Sequence, residues 1–196
     1  AEVGKGVNGM VAGHIEVKKK AMSCVKAFAE GDFDAPLESF PGKKSFINDT
    51  IEQLRGNVRD FIAEMHRMSS EHDKGDIDAV IESHRFRGAY KTMAEGVNEM
   101  VAGHIAVKKK AMACIRAFGE GDLDAPLEVF PGKKRFINDN VEQVRTNIKA
   151  LIADAGLLAQ AATAGRLDTR ADATRHQGDF RRIVEGVNGT LDAIVG

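Results

Sequence analysis

Glycine-rich and lysine-rich stretches are the first candidates for nucleotide chemistry in this sequence. Residues 4–9 have the Gly-x-Gly-x-x-Gly spacing of a dinucleotide-binding loop. Such a loop follows a β-strand and opens a helix, but no strand pattern precedes it here. A copy of the stretch at residues 94–99 has Ala94 and Glu99 in place of two of the three glycines. We therefore interpret residues 4–9 as helix rather than as a nucleotide site.

A possible phosphate loop, Pro-Gly-Lys-Lys, occurs at residues 41–44 and 131–134. Phosphate-binding loops have a further glycine five residues before the Gly-Lys pair. Leu37 occupies that position in the first copy. Both copies are better interpreted as starts of helices.

Histidines, cysteines and paired acids could ligate a metal or act in catalysis, but their spacing does not favour either. His14 and His104 occupy equivalent places in two copies of one stretch. The apolar surroundings of Cys24 and Cys114 indicate small buried thiols in a reducing compartment. We expect no enzyme, cofactor or metal site. The other candidates are His66, His72, His84 and His176, without repeated ligand spacing, and the acid pairs Asp32/Asp34 and Asp122/Asp124, interpreted as solvated loop acids.

Composition favours long helices. Hydrophobic residues make up 43% of the 196 residues, aromatic residues only 6%, and the chain has four prolines and no tryptophan. The net charge of −1 balances lysine runs at 18–20 and 108–110 against acids elsewhere, so we expect no nucleic-acid partner. Apolar runs of about 18 residues and a charged-then-apolar leader are absent from the sequence. We expect a cytoplasmic segment without membrane contact.

Internal repetition organises the chain. Gly-Val-Asn occurs at residues 6–8, 96–98 and 186–188, a period of 90 residues. A weaker repeat of Gly-x-apolar-Asp begins at Gly31, Gly75, Gly121 and Gly165 and divides each period again. Each half-period is therefore predicted to be a helix, a short connector and a second helix.

Apolar spacing predicts helices with a heptad seam, that is, residues three and four apart on one face. A helix over residues 90–118 would be about 43 Å long and would cross the junction between two half-periods. The seams are Met93, Val97, Met100, His104, Val107, Ala111, Cys114 and Phe118; Ile47, Ile51, Leu54, Val58, Phe61, Met65, Met68 and His72; and Ile137, Val141, Val144, Ile148, Leu151, Ala155, Leu158 and Ala162.

The connectors between these helices have a glycine that can end a helix in the left-handed conformation. Two apolar residues four apart then lie among acids and prolines, in position to pin the connector against the helices. Because the connector must span a helix length, the two helices of one unit run parallel. Two helices leave much of their seam exposed, so a second chain would complete a four-helix bundle.

This combination of helix, Gly-x-apolar connector, and a helix ending in a Val-Asn-x-Met-like phrase resembles the HAMP domain of bacterial methyl-accepting chemotaxis receptors and sensor histidine kinases. Nearly the whole chain resembles a poly-HAMP array. The resemblance implies an all-α fold of tandem HAMP units, which are parallel homodimeric four-helix coiled coils stacked end to end with continuous helices across junctions. The implied boundaries are 1–12 for the second helix of an upstream unit, then unit 1 at 13–59, unit 2 at 60–102, unit 3 at 103–149 and unit 4 at 150–196.

The resemblance also implies a function: relaying a helix rotation or repacking from a sensor to an output domain of the same chain that controls the chemotaxis kinase. Many family members begin the second helix with Asp-Glu-x-Gly, whereas this chain has Pro-Gly-Lys-Lys, Arg-Gly-Ala-Tyr or Gln-Gly-Asp-Phe there. The expected connector and packing residues are Gly31, Phe33, Leu37, Gly75, Ile77, Ile81, Gly121, Leu123, Leu127, Gly165 and Leu167.

Two other functions fit the same sequence. A passive coiled-coil spacer would be expected to use one uniform unit type and strong helix formers at the junctions. This sequence instead alternates two unit types and has Gly96 and Gly103 in a junction helix. A ligand sensor would use His14 and His104, which lie on the seam and would face their copies in a dimer. We expect these histidines to form a polar layer that sets the register, with pH sensing or metal binding as the alternative.

Overall fold

Five long α-helices form the computed structural model, which describes residues 2–196 and contains no β-strand within that range. Ala1, the first residue of the predicted upstream segment, lies outside the described residues. The predicted all-α class is confirmed, and α3 contains the whole stretch 90–118. The helices are α1 (Glu2–Ala29), α2 (Ser45–Asp73), α3 (Gly88–Gly119), α4 (Arg135–Thr163) and α5 (Gly178–Val195).

Glycines at both ends of each connector allow the chain to leave one helix and enter the next. At the end of α1, Gly31 has a φ of +89°, and the N–H of Asp32 bonds the carbonyl of Ala27 at 2.9 Å. This is the glycine-terminated helix end that the left-handed conformation makes possible. Positive φ recurs at Gly75, Gly121 and Gly165, and at the connector ends at Gly42, Gly88, Gly132 and Gly178.

The two helices of one unit run parallel, as cross-connections at two levels show. Near the start of α2, Glu38 of the connector bonds Lys20 of α1 through its side chain and Asn48 of α2 through its carbonyl. Further along both helices, Phe28 of α1 contacts the connector and Arg55 of α2. Both helices therefore advance in the same direction while the connector returns between these levels.

The chain divides into two halves between Ala102 and Gly103, a boundary that lies within α3. The N-terminal half has two small cores, each built from two helices and the connector between them. The first contains Ala21, Cys24, Phe28, Phe40 and Ile51, and the second contains Met68, Ile81, Phe86 and Ala94.

The C-terminal half repeats this organisation. Its two cores again combine residues from two helices and a connector, so every half-period has a core of its own. The first contains Cys114, Phe118, Leu123 and Val141, and the second contains Leu158, Ala171 and Val184.

Candidate functional site

The connectors are the candidate functional site, because they hold the two helices of each unit in one arrangement. In units 1 and 3, the predicted apolar residues pack on the core: Phe33 and Leu37 in one, Leu123 and Leu127 in the other. In units 2 and 4 the first apolar residue is partly exposed in the single chain, at 42% for Ile77 and 37% for Leu167. The second position is buried, with Ile81 at 1% and Ala171 at 5% exposure.

A buried arginine of α2 holds the beginning of the unit 1 connector. Arg55 donates from Nη1 to the carbonyl of Phe33 at 2.7 Å and from Nη2 to the carbonyl of Ala35 at 2.8 Å. Its guanidinium lies 4.9 Å from the ring centroid of Phe28, and Nη2 is 3.6 Å from Sγ of Cys24. Two of its donors therefore bond backbone carbonyls of the connector beside the apolar core.

Unit 3 repeats this arrangement with Arg145 of α4. The bonds to the carbonyls of Leu123 and Ala125 are 2.6 and 2.7 Å, and the guanidinium lies 4.8 Å from the centroid of Phe118. Cys114 again lies beside the guanidinium, 3.5 Å from Nη2. Both cysteines are thus buried free thiols next to a positive charge.

Asparagines hold the connectors at a second point. In unit 1 the side-chain amide of Asn48 accepts from the N–H of Phe40 at 2.9 Å and donates to the carbonyl of Glu38 at 2.7 Å. Asn138 makes the equivalent pair in unit 3. Each amide replaces two backbone partners that a neighbouring strand would otherwise supply.

The asparagine of the Gly-Val-Asn phrase has this role in units 2 and 4. Asn98 accepts from the N–H of Ile81 and donates to its carbonyl, both at 2.9 Å. Asn188 does the same with Ala171, at 3.0 and 2.8 Å. In these two copies of the Gly-Val-Asn phrase, the asparagine therefore holds the connector on the second helix.

A buried acid on the first helix also holds the unit 2 connector. Glu64 of α2 accepts from Nη1 of Arg85 in the connector at 2.8 Å and from Nη2 of Arg67 at 2.8 Å. Arg67 also donates to the carbonyl of Val80 at 2.6 Å. The hydrogen bond from Arg67 lowers the pKa of Glu64, because it stabilises the charged carboxylate.

Unit 4 has a buried Asp at the position of Glu64 and a buried His at the position of Phe86. Asp154 of α4 accepts from Nε2 of His176 at 2.6 Å, and both side chains are nearly inaccessible, at 6% and 2% exposure. Arg175 lies 3.4 Å from the same carboxylate but is mostly exposed. Asp172 caps the short turn before His176, and a hydrogen bond from the Thr174 hydroxyl lowers its pKa.

Within the described residues 2–196, no group of three or more histidine, cysteine or acidic side chains is placed to hold a metal ion. His14 and His104 are exposed in the single chain. Their predicted polar layer would form between two chains, so it stays a prediction. His72 donates from Nε2 to the carbonyl of Ala79 at 2.9 Å. Among these residues, no helix is long and apolar enough to cross a membrane.

Sequence reasoning missed the polar residues that hold the connectors. The signal that could have identified them is their recurrence at the 90-residue period, each next to a seam position. Arg55 and Arg145, Asn48 and Asn138, and Asn98 and Asn188 recur unchanged, while Glu64 and Asp154 keep the acidic character.

Comparison with protein families agrees with the repeat pattern. The family described as HAMP N-terminal domain 3 matches residues 17–59 and 107–149. The second HAMP domain of methyl-accepting chemotaxis protein McpB matches residues 57–103, and the HAMP domain family matches residues 175–196. The matches thus cover most of the chain and include both kinds of connector.

The chain is also similar to a methyl-accepting chemotaxis protein. The chain is 30% identical over 179 residues to methyl-accepting chemotaxis protein McpB of Pseudomonas aeruginosa. The alignment covers 84% of this chain but 26% of that protein, so the chain spans about a quarter of its relative's length. With HAMP families matching along the chain and a helix–connector–helix core in each half-period, the chain belongs to the HAMP domain family, as a poly-HAMP segment similar to that of a methyl-accepting chemotaxis protein.

Proposed function

We propose that the segment relays a conformational change from a sensor to an output domain of the same full-length chain, and thereby controls a chemotaxis kinase. The similarity to McpB supports a role in chemoreceptor signal transduction. The buried groups described above bond structural partners, which supports transmission rather than catalysis. The proposal places the segment in the cytoplasm.

The observation that carries this proposal is the length of α3. Its 32 residues, Gly88–Gly119, contain Ala94 of one core and Cys114 of another. A rotation of the helix at its beginning therefore changes which face it presents further along. Such a relay needs two packing arrangements of similar free energy and no chemical step.

The proposed unit boundaries follow the same cores. The upstream helix ends at residue 12, and units 1 to 4 cover 13–59, 60–102, 103–149 and 150–196. Each unit then contains one connector, its two flanking half-helices and one core.

A second copy of the chain is the proposed partner. Large apolar side chains are exposed on the predicted seams, including Met93 at 45% and Met100 at 59% exposure. Between α4 and α5, an open apolar groove of about 490 Å³ is lined by Leu151, Leu158 and Val187, among others. The helix pair of a second chain would bury these faces in a parallel four-helix bundle.

Light scattering of the purified protein tests the dimer. We expect a mass of twice the 21.2 kDa of one chain. A monomer at micromolar concentration would contradict the proposed assembly.

Inserted residues test the relay. Four residues inserted after His104 shift the heptad phase of α3, whereas seven residues preserve it. In the full-length receptor, we expect the four-residue insertion to change the stimulus response of kinase autophosphorylation and the seven-residue insertion to retain most of it. If both insertions leave the response unchanged, the segment is a passive spacer and the relay proposal fails.

A further inference from the structure

The two kinds of unit differ in which helix holds the connector. In unit 1, four hydrogen bonds from Arg55 and Asn48 join the connector to the second helix. Toward the first helix, the polar contacts among the described residues are an ion pair of Lys20 with Glu38, both exposed, and a long contact of 3.9 Å from the Cys24 thiol to a carbonyl. The remaining contact is apolar, with the rings of Phe28 and Phe33 5.3 Å apart. The connector therefore makes more hydrogen bonds to the second helix than to the first.

Unit 3 repeats this imbalance. Arg145 and Asn138 again make four bonds to the connector from the second helix. The polar contacts toward the first helix are an exposed ion pair of Lys110 with Glu128 and a thiol contact of 3.7 Å from Cys114, beside the apolar packing of Leu123 in the shared core. The same arrangement ninety residues later makes it a property of this kind of unit.

In units 2 and 4, buried acids join the connector to the first helix as well. Glu64 binds Arg85 and Asp154 binds His176, while Asn98 and Asn188 hold the connector on the second helix. The acids are nearly inaccessible to solvent. Separating the first helix from the connector would leave a buried carboxylate without its connector partner, which is costly.

We propose that units 1 and 3 are the movable units, in which the first helix shifts against a body made of connector and second helix, whereas units 2 and 4 move as single bodies. In units 1 and 3 the shift breaks one exposed ion pair, which contributes little to stability. It otherwise moves Phe28 or Phe118 across the guanidinium of Arg55 or Arg145 and the apolar core, contacts that have little directional preference. The inference rests on the proposed relay and assigns its moving parts.

Cysteines that already exist in the chain can report this motion. Cys24 and Cys114 lie on the first helix, seven residues before the connector glycines Gly31 and Gly121. Seven residues before Gly75 and Gly165, units 2 and 4 have Met68 and Leu158. All four positions are buried against a connector or its core. One thiol at each position therefore compares the four units directly.

The experiment measures maleimide labelling rates of the native full chain with one cysteine at a time. Two variants retain Cys24 or Cys114. Two others carry Cys24→Ala and Cys114→Ala with either Met68→Cys or Leu158→Cys. We expect a bulky maleimide to label the thiols of units 1 and 3 at least about tenfold faster, because the polar bonds between connector and first helix are more exposed there than in units 2 and 4. Equal or slower labelling there overturns the proposal.

Reagent size separates opening from direct entry, because small surface pockets lie beside Cys24 and Cys114. A thiol reached through a pocket reacts preferentially with a small maleimide, whereas a thiol exposed by opening reacts with both sizes. The faster labelling in units 1 and 3 must therefore hold for both reagents. If only the small reagent shows it, the proposal is overturned.

Removing the buried acid supplies the matched test. Glu64→Gln should speed labelling at Met68→Cys about tenfold, while the same change leaves Cys24 labelling within twofold. Unchanged labelling at Met68→Cys overturns the proposal. Circular dichroism checks the helical content, and if Glu64→Gln reduces it, Arg85→Met removes the connector's side of the pair from an exposed position.

These rates are measured without a receptor or a kinase. Failure of the labelling order would remove the assigned moving parts and leave the relay proposal standing. Failure of the insertion experiment would remove the relay and leave the measured mobility unaffected.

Discussion

Units 2 and 4 have the same architecture, ninety residues apart, but different means of holding it. The core of unit 2 contains Ile81 and Phe86, whereas unit 4 has Ala171 and His176 at these positions. The pair of Glu64 with Arg85 in unit 2 becomes a pair of Asp154 with His176 in unit 4. Apolar packing in one unit is thus exchanged for a compact buried polar pair in the other.

The exchange shows which features the fold requires. Both units keep the asparagine that bonds the connector backbone, the glycines with positive φ and an acid on the first helix. The size of the side chain at the second connector position is not fixed, because Asn98 and Asn188 bond only backbone atoms of that residue. Connector docking therefore depends on backbone bonds, and the apolar core determines how stable the docked state is.

Exchanging the second connector residue should produce the largest effect. Ile81 is 1% exposed, so Ile81→Ala should destabilise unit 2 by about 3 kcal/mol through lost burial and an unfilled cavity. The reverse change, Ala171→Ile, should alter the stability of unit 4 by about 1 kcal/mol at most, because the added side chain enters the groove that the proposed second chain also fills. Urea unfolding gives both values.

Tyrosine fluorescence can report the unfolding of unit 2 and of unit 4 separately. Tyr90 is the single tyrosine of a chain without tryptophan, and it packs on the core of unit 2. Phe180 lies ninety residues later, so Tyr90→Phe with Phe180→Tyr transfers the reporter to unit 4. A loss below about 1 kcal/mol for Ile81→Ala would mean that the apolar core does not set the stability of the docked connector.

Acid should weaken unit 2 through Glu64. The folded pKa of Glu64 is lowered by Arg67, so the carboxylate stabilises the fold above the unfolded glutamate pKa of about 4.3. This contribution is lost as the pH falls through the folded pKa. Glu64→Gln should therefore reduce the loss of stability on acidification below about pH 4.3.

Tyr90 fluorescence in urea at pH 7 and at several pH values below 4.3 measures this effect. Glu99→Gln, at an exposed glutamate of the same unit, serves as the control. An identical acid dependence in Glu64→Gln and the unchanged protein would show that the pair with Arg67 and Arg85 does not stabilise the docked connector.

Sequence patterns alone predicted the helices and the positions of the connectors. The 90-residue period and the three- and four-residue apolar spacing predicted a helix across residues 90–118, and α3, Gly88–Gly119, contains that range. This succeeded because helix periodicity and helix-ending glycines are local properties of the chain.

The partners of the polar residues could not be predicted in the same way. Arg55 and Glu64 look like exposed helix charges, and their burial depends on carbonyls or arginines distant in sequence. Ala94, at 0% exposure, lies beside the predicted seam residue Met93. A single seam describes one face of a helix, but here the connector packs on a neighbouring face and buries positions that the heptad pattern leaves out.

The smallest expected effect comes from the glycines within the second helices of the two units. Gly96 of α3 and Gly186 of α5 have space for a Cβ atom in the single chain. Gly96→Ala and Gly186→Ala should each stabilise the fold by about 1 kcal/mol, because alanine has the higher helix propensity. Thermal unfolding at a fixed protein concentration measures the change. One substitution could instead stabilise the fold while the other destabilises it. Because the single chain leaves space at both positions, the destabilising substitution would then mark the glycine that packs against a helix of the second chain. Equal gains in both units would mean that these glycines weaken their helices without helping the two chains to pack.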